Sequence, residues 1–110
     1  MEHSVRDDQG ATVIELHGDV DLESSPKTRT ILLDCVAAGK PVYVDMAAVT
    51  YIDSSGVASL VESFQSARAG GTGFTLVSVS EEVMRVIQLA RLDKIFTIHA
   101  SLDDARQAGD

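Results

Sequence analysis

Two hydrophobic periods alternate along this chain. In Ala11–His17 the period is two, with Ile14 and Leu16 on one face and Glu15 and His17 on the other, which predicts a half-buried strand. From Ser25 the period lengthens. Thr28, Ile31, Leu32, Cys35 and Val36 form a helical stripe. Ser24 and Ser25 offer N-caps, Pro26 suits the first helical position, and Gly39 suits the stop. Pro41 then opens a strand over Val42–Met46. Val57, Leu60, Val61 and Phe64 mark a second helix over Ser54–Ala69 with a core-facing stripe. Gly70-Gly71-Thr72-Gly73 is a loop and Phe74–Val79 a strand. A third helix follows Ser80, with Glu81 and Glu82 near its positive end and Val83, Val86, Ile87 and Ala90 as its stripe. Ile95–Ile98 reads as a short strand. Ser101-Leu102-Asp103-Asp104 resembles a capping box for a short last helix, with Asp in place of Glu. Before all of these, residues 3–8 suit a first strand, closed by a turn at Gln9-Gly10.

The predicted order is β, β, α, β, α, β, α, β, α. Strands that alternate with helices need crossovers, and crossovers give a largely parallel sheet. The fold class is therefore α/β: one domain over residues 1–110, a mixed, mostly parallel sheet of four to five strands, and about four helices. Polar Thr12, Glu15, Tyr43, Asp45 and Thr75 interrupt the apolar strand positions. They predict one partly wet sheet face, with the helices mainly on the other.

Composition narrows the function classes. A length of 110 residues suits one core, and no repeat or linker divides it. The formal charge of −8 opposes direct nucleic-acid binding and attachment to anionic lipid. No apolar run reaches the roughly 18 residues of a membrane helix, and the N-terminus lacks signal-peptide order. A single cysteine on a helical stripe fits a reducing compartment, so the expected location is the cytoplasm.

Most candidate chemistry is weak. The Gly70–Gly73 loop runs from helix to strand, the wrong order for a phosphate cradle. His3, His17, His99 and Cys35 lack ligand spacing, so no metal or cofactor is expected. Asp53-Ser54-Ser55-Gly56 lacks the first glycine of a Gly-x-Ser-x-Gly elbow, and no acid–base pair is visible, so no enzyme is expected. Two places remain. Gly18-Asp19-Val20-Asp21 follows the second strand, where its carboxylates suit a solvated loop. Asp53-Ser54-Ser55-Gly56 opens the second helix, whose first N–H groups lack intrahelical partners. A carboxylate, two hydroxyls and a glycine there suit a cap, an anion site or a docking point. A glycine in the first turn costs up to ~1 kcal/mol relative to alanine, so Gly56 points to a close approach by another backbone or a ligand.

These two elements, with Val42-Tyr43-Val44-Asp45-Met46 between them, resemble the STAS domain, and among its members bacterial anti-sigma factor antagonists. The likeness runs from about Val13 to Phe96 and includes Leu92-Asp93-Lys94-Ile95-Phe96. It implies a domain that binds an anti-sigma factor, often also a serine kinase, and so frees a sigma factor. It implies that the kinase phosphorylates Ser54, that this ends the complex, and that a metal-dependent phosphatase of the PP2C type restores it. Asp19 and Asp21 would lie on the partner surface, Asp21 beside the kinase's nucleotide. Asp53, Ser54, Ser55 and Gly56 would complete the patch. STAS domains also serve as subunits of ABC transporters, including lipid-transport systems, where the same helix start docks on another subunit without phosphorylation. Asp-Ser-Ser-Gly favours the sigma pathway.

Overall fold

A hairpin starts the sheet. In the computed structural model, which describes residues 1–108, β1 (Glu2–Asp8) and β2 (Ala11–Val20) pair antiparallel around Gln9-Gly10. Both turn residues have positive φ, 53° and 83°, the sense of twist that tight hairpins need. The chain continues through α1 (Ser25–Ala37), β3 (Val42–Ile52), α2 (Ser54–Ala69), β4 (Phe74–Val77), α3 (Glu81–Leu89), β5 (Thr97–His99) and α4 (Leu102–Gln107). A single 3-10 turn at Leu92–Lys94 links α3 to β5. The five strands lie in the order β1-β2-β3-β4-β5, and every pair after the hairpin is parallel. That is the mixed, mostly parallel α/β sheet that the alternation of periods predicts.

Helices α1, α2 and α3 cover one face. Ile14, Leu16, Val42, Val44, Met46 and Leu76 meet Leu32, Val36, Leu60, Val83 and Ile87 there, all buried. On the other face, α4 lays Ala105 and Leu102 over Ala11, Val13, Tyr43 and Val77. Arg106 ties α4 to the hairpin through Asp8 at 2.9 Å. The second face is thus drier than the polar strand positions suggest. Tyr43 and Thr75 are buried, Glu15 and Asp45 are half-buried, and Thr12 belongs to the helix-covered face by its parity with Ile14.

Four local expectations change. First, β2 and β3 outrun their alternating stretches, to Val20 and Ile52. The register slips between Glu15 and His17 and between Gly18 and Asp19, and Gly18 takes φ 82°. Such bulges break the period-two pattern while pairing continues. Second, β4 stops at Val77 because Ser78 turns to φ 54°. Third, β5 lies later than Ile95–Ile98, since the 3-10 turn takes up Leu92–Lys94 and leaves Ile95 exposed. Fourth, the inward face of α2 is rotated from its apolar stripe. Gly56, Ser59, Ser63 and Ala67 are buried beside Leu60, whereas Val57, Val61 and Phe64 are partly buried at the flanks. Small residues let the neighbouring backbone come close, and the hydroxyls stay satisfied: Ser63 donates to the Ser59 carbonyl at 2.8 Å, and Ser59 to those of Ser55 at 3.2 Å and Ser25 at 3.4 Å. Phe64 meets Phe74 and Phe96 edge-on, with centroids 6.3 and 5.4 Å away.

Candidate functional site

The site lies where two helices begin side by side. Val20 and Ile52 are partners at the ends of parallel β2 and β3, so the chain leaves both strands at one edge of the sheet. From β3 it passes into α2 at once, through Asp53. From β2 it takes a turn over residues 22–24 and then begins α1. Ends of parallel strands followed by helix N-termini are where open α/β sheets bind their ligands.

Asp53 links both helix starts. Its backbone is extended, as an N-cap requires. Oδ1 accepts the N–H of Ser55 at 2.9 Å and of Gly56 at 3.1 Å, and also the Ser55 hydroxyl. Oδ2 accepts the Leu22 N–H at 3.1 Å, and the Asp53 N–H donates to the Val20 carbonyl at 3.2 Å. The Ser55 hydroxyl, followed by the amides of Gly56, Ser55 and Leu22, holds the Asp53 carboxyl below the usual carboxylate range, against the opposing pull of desolvation. Because the folded value is depressed, the stabilisation is complete above the unfolded pKa. It is lost as pH falls through the folded one. A carboxyl-carbon NMR titration is expected to give Asp53 a midpoint below that of an unstructured aspartate, about 3.9. Ser55→Ala is expected to move it upward, and an unmoved midpoint contradicts the assigned cause.

Asp21 binds the turn that precedes α1. Its Oδ1 accepts the N–H groups of Glu23 and Ser24, both at 3.1 Å, and the Ser24 hydroxyl accepts the Asp21 N–H at 2.9 Å. Neither Ser24 nor Ser25 is the side-chain cap that their position suggests: Ser24 already has helical backbone angles, φ −90° and ψ −16°, where a capping residue is extended. Asp19 is on the strand itself, exposed, with Oδ1 accepting the Thr50 hydroxyl at 3.0 Å. Gly18–Asp21 is therefore the end of β2 and the start of the turn, not a free loop.

Ser54 stands at the mouth of α2. It is exposed, and its hydroxyl has no partner among the described residues. Ser55 is half-buried beneath it and spends its hydroxyl on Asp53. Gly56 is buried. A Cβ there would stand 2.7 Å from the Val20 carbonyl oxygen and 2.7 Å from Ile52 Cγ1. The close approach that a first-turn glycine implies is therefore the domain's own β2. Gly56, expected in the docking patch, is thus covered by Val20 and Ile52.

Two large apolar residues near these strand ends are exposed. Leu22 is 75% exposed, and Tyr51, in register with Asp19, is 51% exposed. The available signal was a large apolar residue outside any periodic stripe, in an acidic turn. A groove of about 420 Å³ runs between α1 and α2, lined by Pro26, Ser55, Ala58 and Ser59. Arg29 closes it with a two-pronged bond to Glu62, at 2.6 and 2.7 Å. The bond holds Glu62 below its ordinary value and Arg29 above. Both side chains are about half exposed, so Arg29→Ala is expected to cost little stability in a denaturant melt. A larger loss means that the bridge supports the helix pair. Among the described residues no cluster of histidine, cysteine and carboxylate groups is arranged for a metal ion, and no helix is long and apolar enough to cross a membrane.

A family profile for the STAS domain matches residues 3–105. The chain belongs to the STAS domain family. It is 24% identical over 103 residues to the anti-sigma-B factor antagonist of Bacillus subtilis (strain 168), covering 94% of each protein. It is 28% identical over 82 residues to the protein of that name from Listeria monocytogenes, covering 74% of this chain and 72% of that one. Among solved structures, an anti-sigma factor antagonist from Mycobacterium paratuberculosis superposes with a TM-score of 0.88 at 30% identity, over 97% of this chain and 92% of that one. These relatives are regulatory binding proteins by name. Within the STAS fold, the Asp-Ser-Ser-Gly run divides its work. Asp53 and Ser55 build the cap, Gly56 permits the crossing, and Ser54 alone is left to face outward.

Proposed function

We propose that this STAS domain is an anti-sigma factor antagonist, a binding protein and not an enzyme, working in the cytoplasm. It binds an anti-sigma factor that is also a serine kinase, over a surface formed by Asp19, Asp21, Asp53, Ser54 and Ser55, with Gly56 beneath. The kinase phosphorylates Ser54 and the complex ends. A PP2C-type phosphatase reverses the step. The observation that carries this function is the exposed hydroxyl of Ser54, without a partner among the described residues, next to the Asp53 carboxylate that links two helix starts.

The cap explains why phosphorylation switches binding and not folding. A helix start attracts an anion by 0.3–1 kcal/mol. Here the open N–H groups of Ser55 and Gly56 already serve Asp53. A phosphate on Ser54 therefore gains little inside the domain and points at whatever lies above it. It adds about −1.5 to −2 charges at pH 7. Covered by a partner, that charge loses water and meets the nucleotide phosphates.

The test is a pull-down from the source bacterium with the purified domain, followed by mass spectrometry of the bound proteins and of the peptide containing Ser54. An anti-sigma factor in the bound fraction and phosphate on Ser54 are expected. Permease and ATPase subunits instead would assign the domain to an ABC transporter.

A further inference from the structure

We infer that Leu22 is the apolar anchor of the partner interface and that its partner offers an apolar recess rimmed by basic side chains. The inference rests on the proposed function and specifies its surface. Leu22 is among the most exposed large apolar side chains of the described residues, 75% open to solvent, in the turn that precedes α1. A leucine in that position serves nothing within the fold. Its backbone, however, is held firmly. The Leu22 N–H is bonded to Asp53 Oδ2 at 3.1 Å, and the adjoining turn is bound by Asp21 Oδ1 through Glu23 and Ser24. The side chain is thus presented on a fixed backbone, which reduces the ordering cost of binding.

Three observations point to the occupant. The carboxylate that pins Leu22 also caps the helix bearing Ser54, so Leu22 and Ser54 belong to one surface. Asp19, Asp21, Glu23 and Asp53 surround it in sequence and in hydrogen bonding, in a chain of net charge −8, so the complementary rim is basic. Tyr51, half exposed, offers a second apolar side chain on the adjacent strand, in register with Asp19. A partner that buries a central apolar residue inside a charged rim has the usual layout of a specific interface.

The experiment uses the full chain and the anti-sigma factor recovered in the pull-down, purified and titrated by calorimetry. Leu22→Ala is expected to weaken binding at least tenfold, Leu22→Asp more, and Leu22→Met less than threefold. Val5→Ala serves as a control, since Val5 is also exposed (47%) but lies on β1, away from the site, and no change is expected. Thermal melts of the Leu22 variants should match wild type, because most of that side chain is already open to solvent. If Leu22→Ala binds within threefold of wild type while Ser54→Asp is weakened, the anchor is wrong and the proposed function stands. If the wild-type domain binds no anti-sigma factor, both fall.

Discussion

Ser54→Asp is expected to reduce affinity for the anti-sigma partner about a hundredfold and to leave the melting temperature unchanged. A new carboxylate at the mouth of α2 finds the Ser55 and Gly56 amides already bonded to Asp53, so it neither strengthens nor opens the helix. Surface substitutions of this kind usually stay within ±0.5 kcal/mol in stability. At the interface the balance differs. Like charges brought together under a partner cost several kcal/mol, and 1.4 kcal/mol is tenfold in affinity. One aspartate charge is about half of a phosphate's, which leaves roughly 2–3 kcal/mol. Ser54→Ala is expected to bind as wild type and to resist the kinase. Calorimetric titration of the three proteins, with a melt of each, checks the set. Wild-type affinity for Ser54→Asp would remove the switch from this position. A lowered melting temperature would place the effect in the fold instead of the contact.

Gly56→Ala is expected to be the most destabilising small substitution at the site. The added carbon would meet the Val20 carbonyl oxygen and Ile52 Cγ1, each at 2.7 Å, and Val20 Cγ1 at 2.9 Å. The oxygen is backbone, fixed in β2, and it accepts the Asp53 N–H, so it cannot swing aside cheaply. Overpacking of this sort costs about 1–3 kcal/mol, and the better helix propensity of alanine returns at most about 1. A net loss of about 1–2 kcal/mol is expected, roughly 5–10 °C in a domain of this size. Chemical denaturation measures it directly. A variant that melts like wild type but no longer binds would return Gly56 to the docking patch.

Ser54 and Gly56 lie two positions apart and have opposite roles, and that distinction was only partly legible. Asp53-Ser54-Ser55-Gly56 reads as a helix start because its residue types suit unsatisfied N–H groups. The order of the four does not state which hydroxyl is spent on the cap. Ser55 is one position further into the first turn, and that turn aims it at Asp53. Ser54 is left exposed. Likewise Gly56 signals a close approach from its cost in a helix, whereas the identity of the approaching group, Val20, depends on how β2 and β3 end together.

The inward face of α2 was obscured for a related reason. Periodicity weighs large apolar residues, and Val57, Leu60, Val61 and Phe64 fit it well. The positions that are buried are Gly56, Ser59, Ser63 and Ala67 beside Leu60, because elements that pass close to one another need small side chains. Serine hydroxyls can be buried there by bonding back to the helix carbonyls. Leu22 escaped notice because it belongs to no stripe, and its exposure is a property of the finished surface.

By itself the sequence determined the architecture. The change of hydrophobic period from two to 3.6 and back, punctuated by Pro26, Gly39 and Pro41, dictates alternating strands and helices, and alternation dictates crossovers and parallel pairing. It also marked the candidate site, since local preferences concentrate caps and small polar residues at helix starts. Tertiary structure decided what each residue there does. Distances between Asp53 and Leu22, thirty-one positions away, or between Gly56 and Val20, follow from the sheet's register, and register is a property of the assembled strands that no single segment encodes.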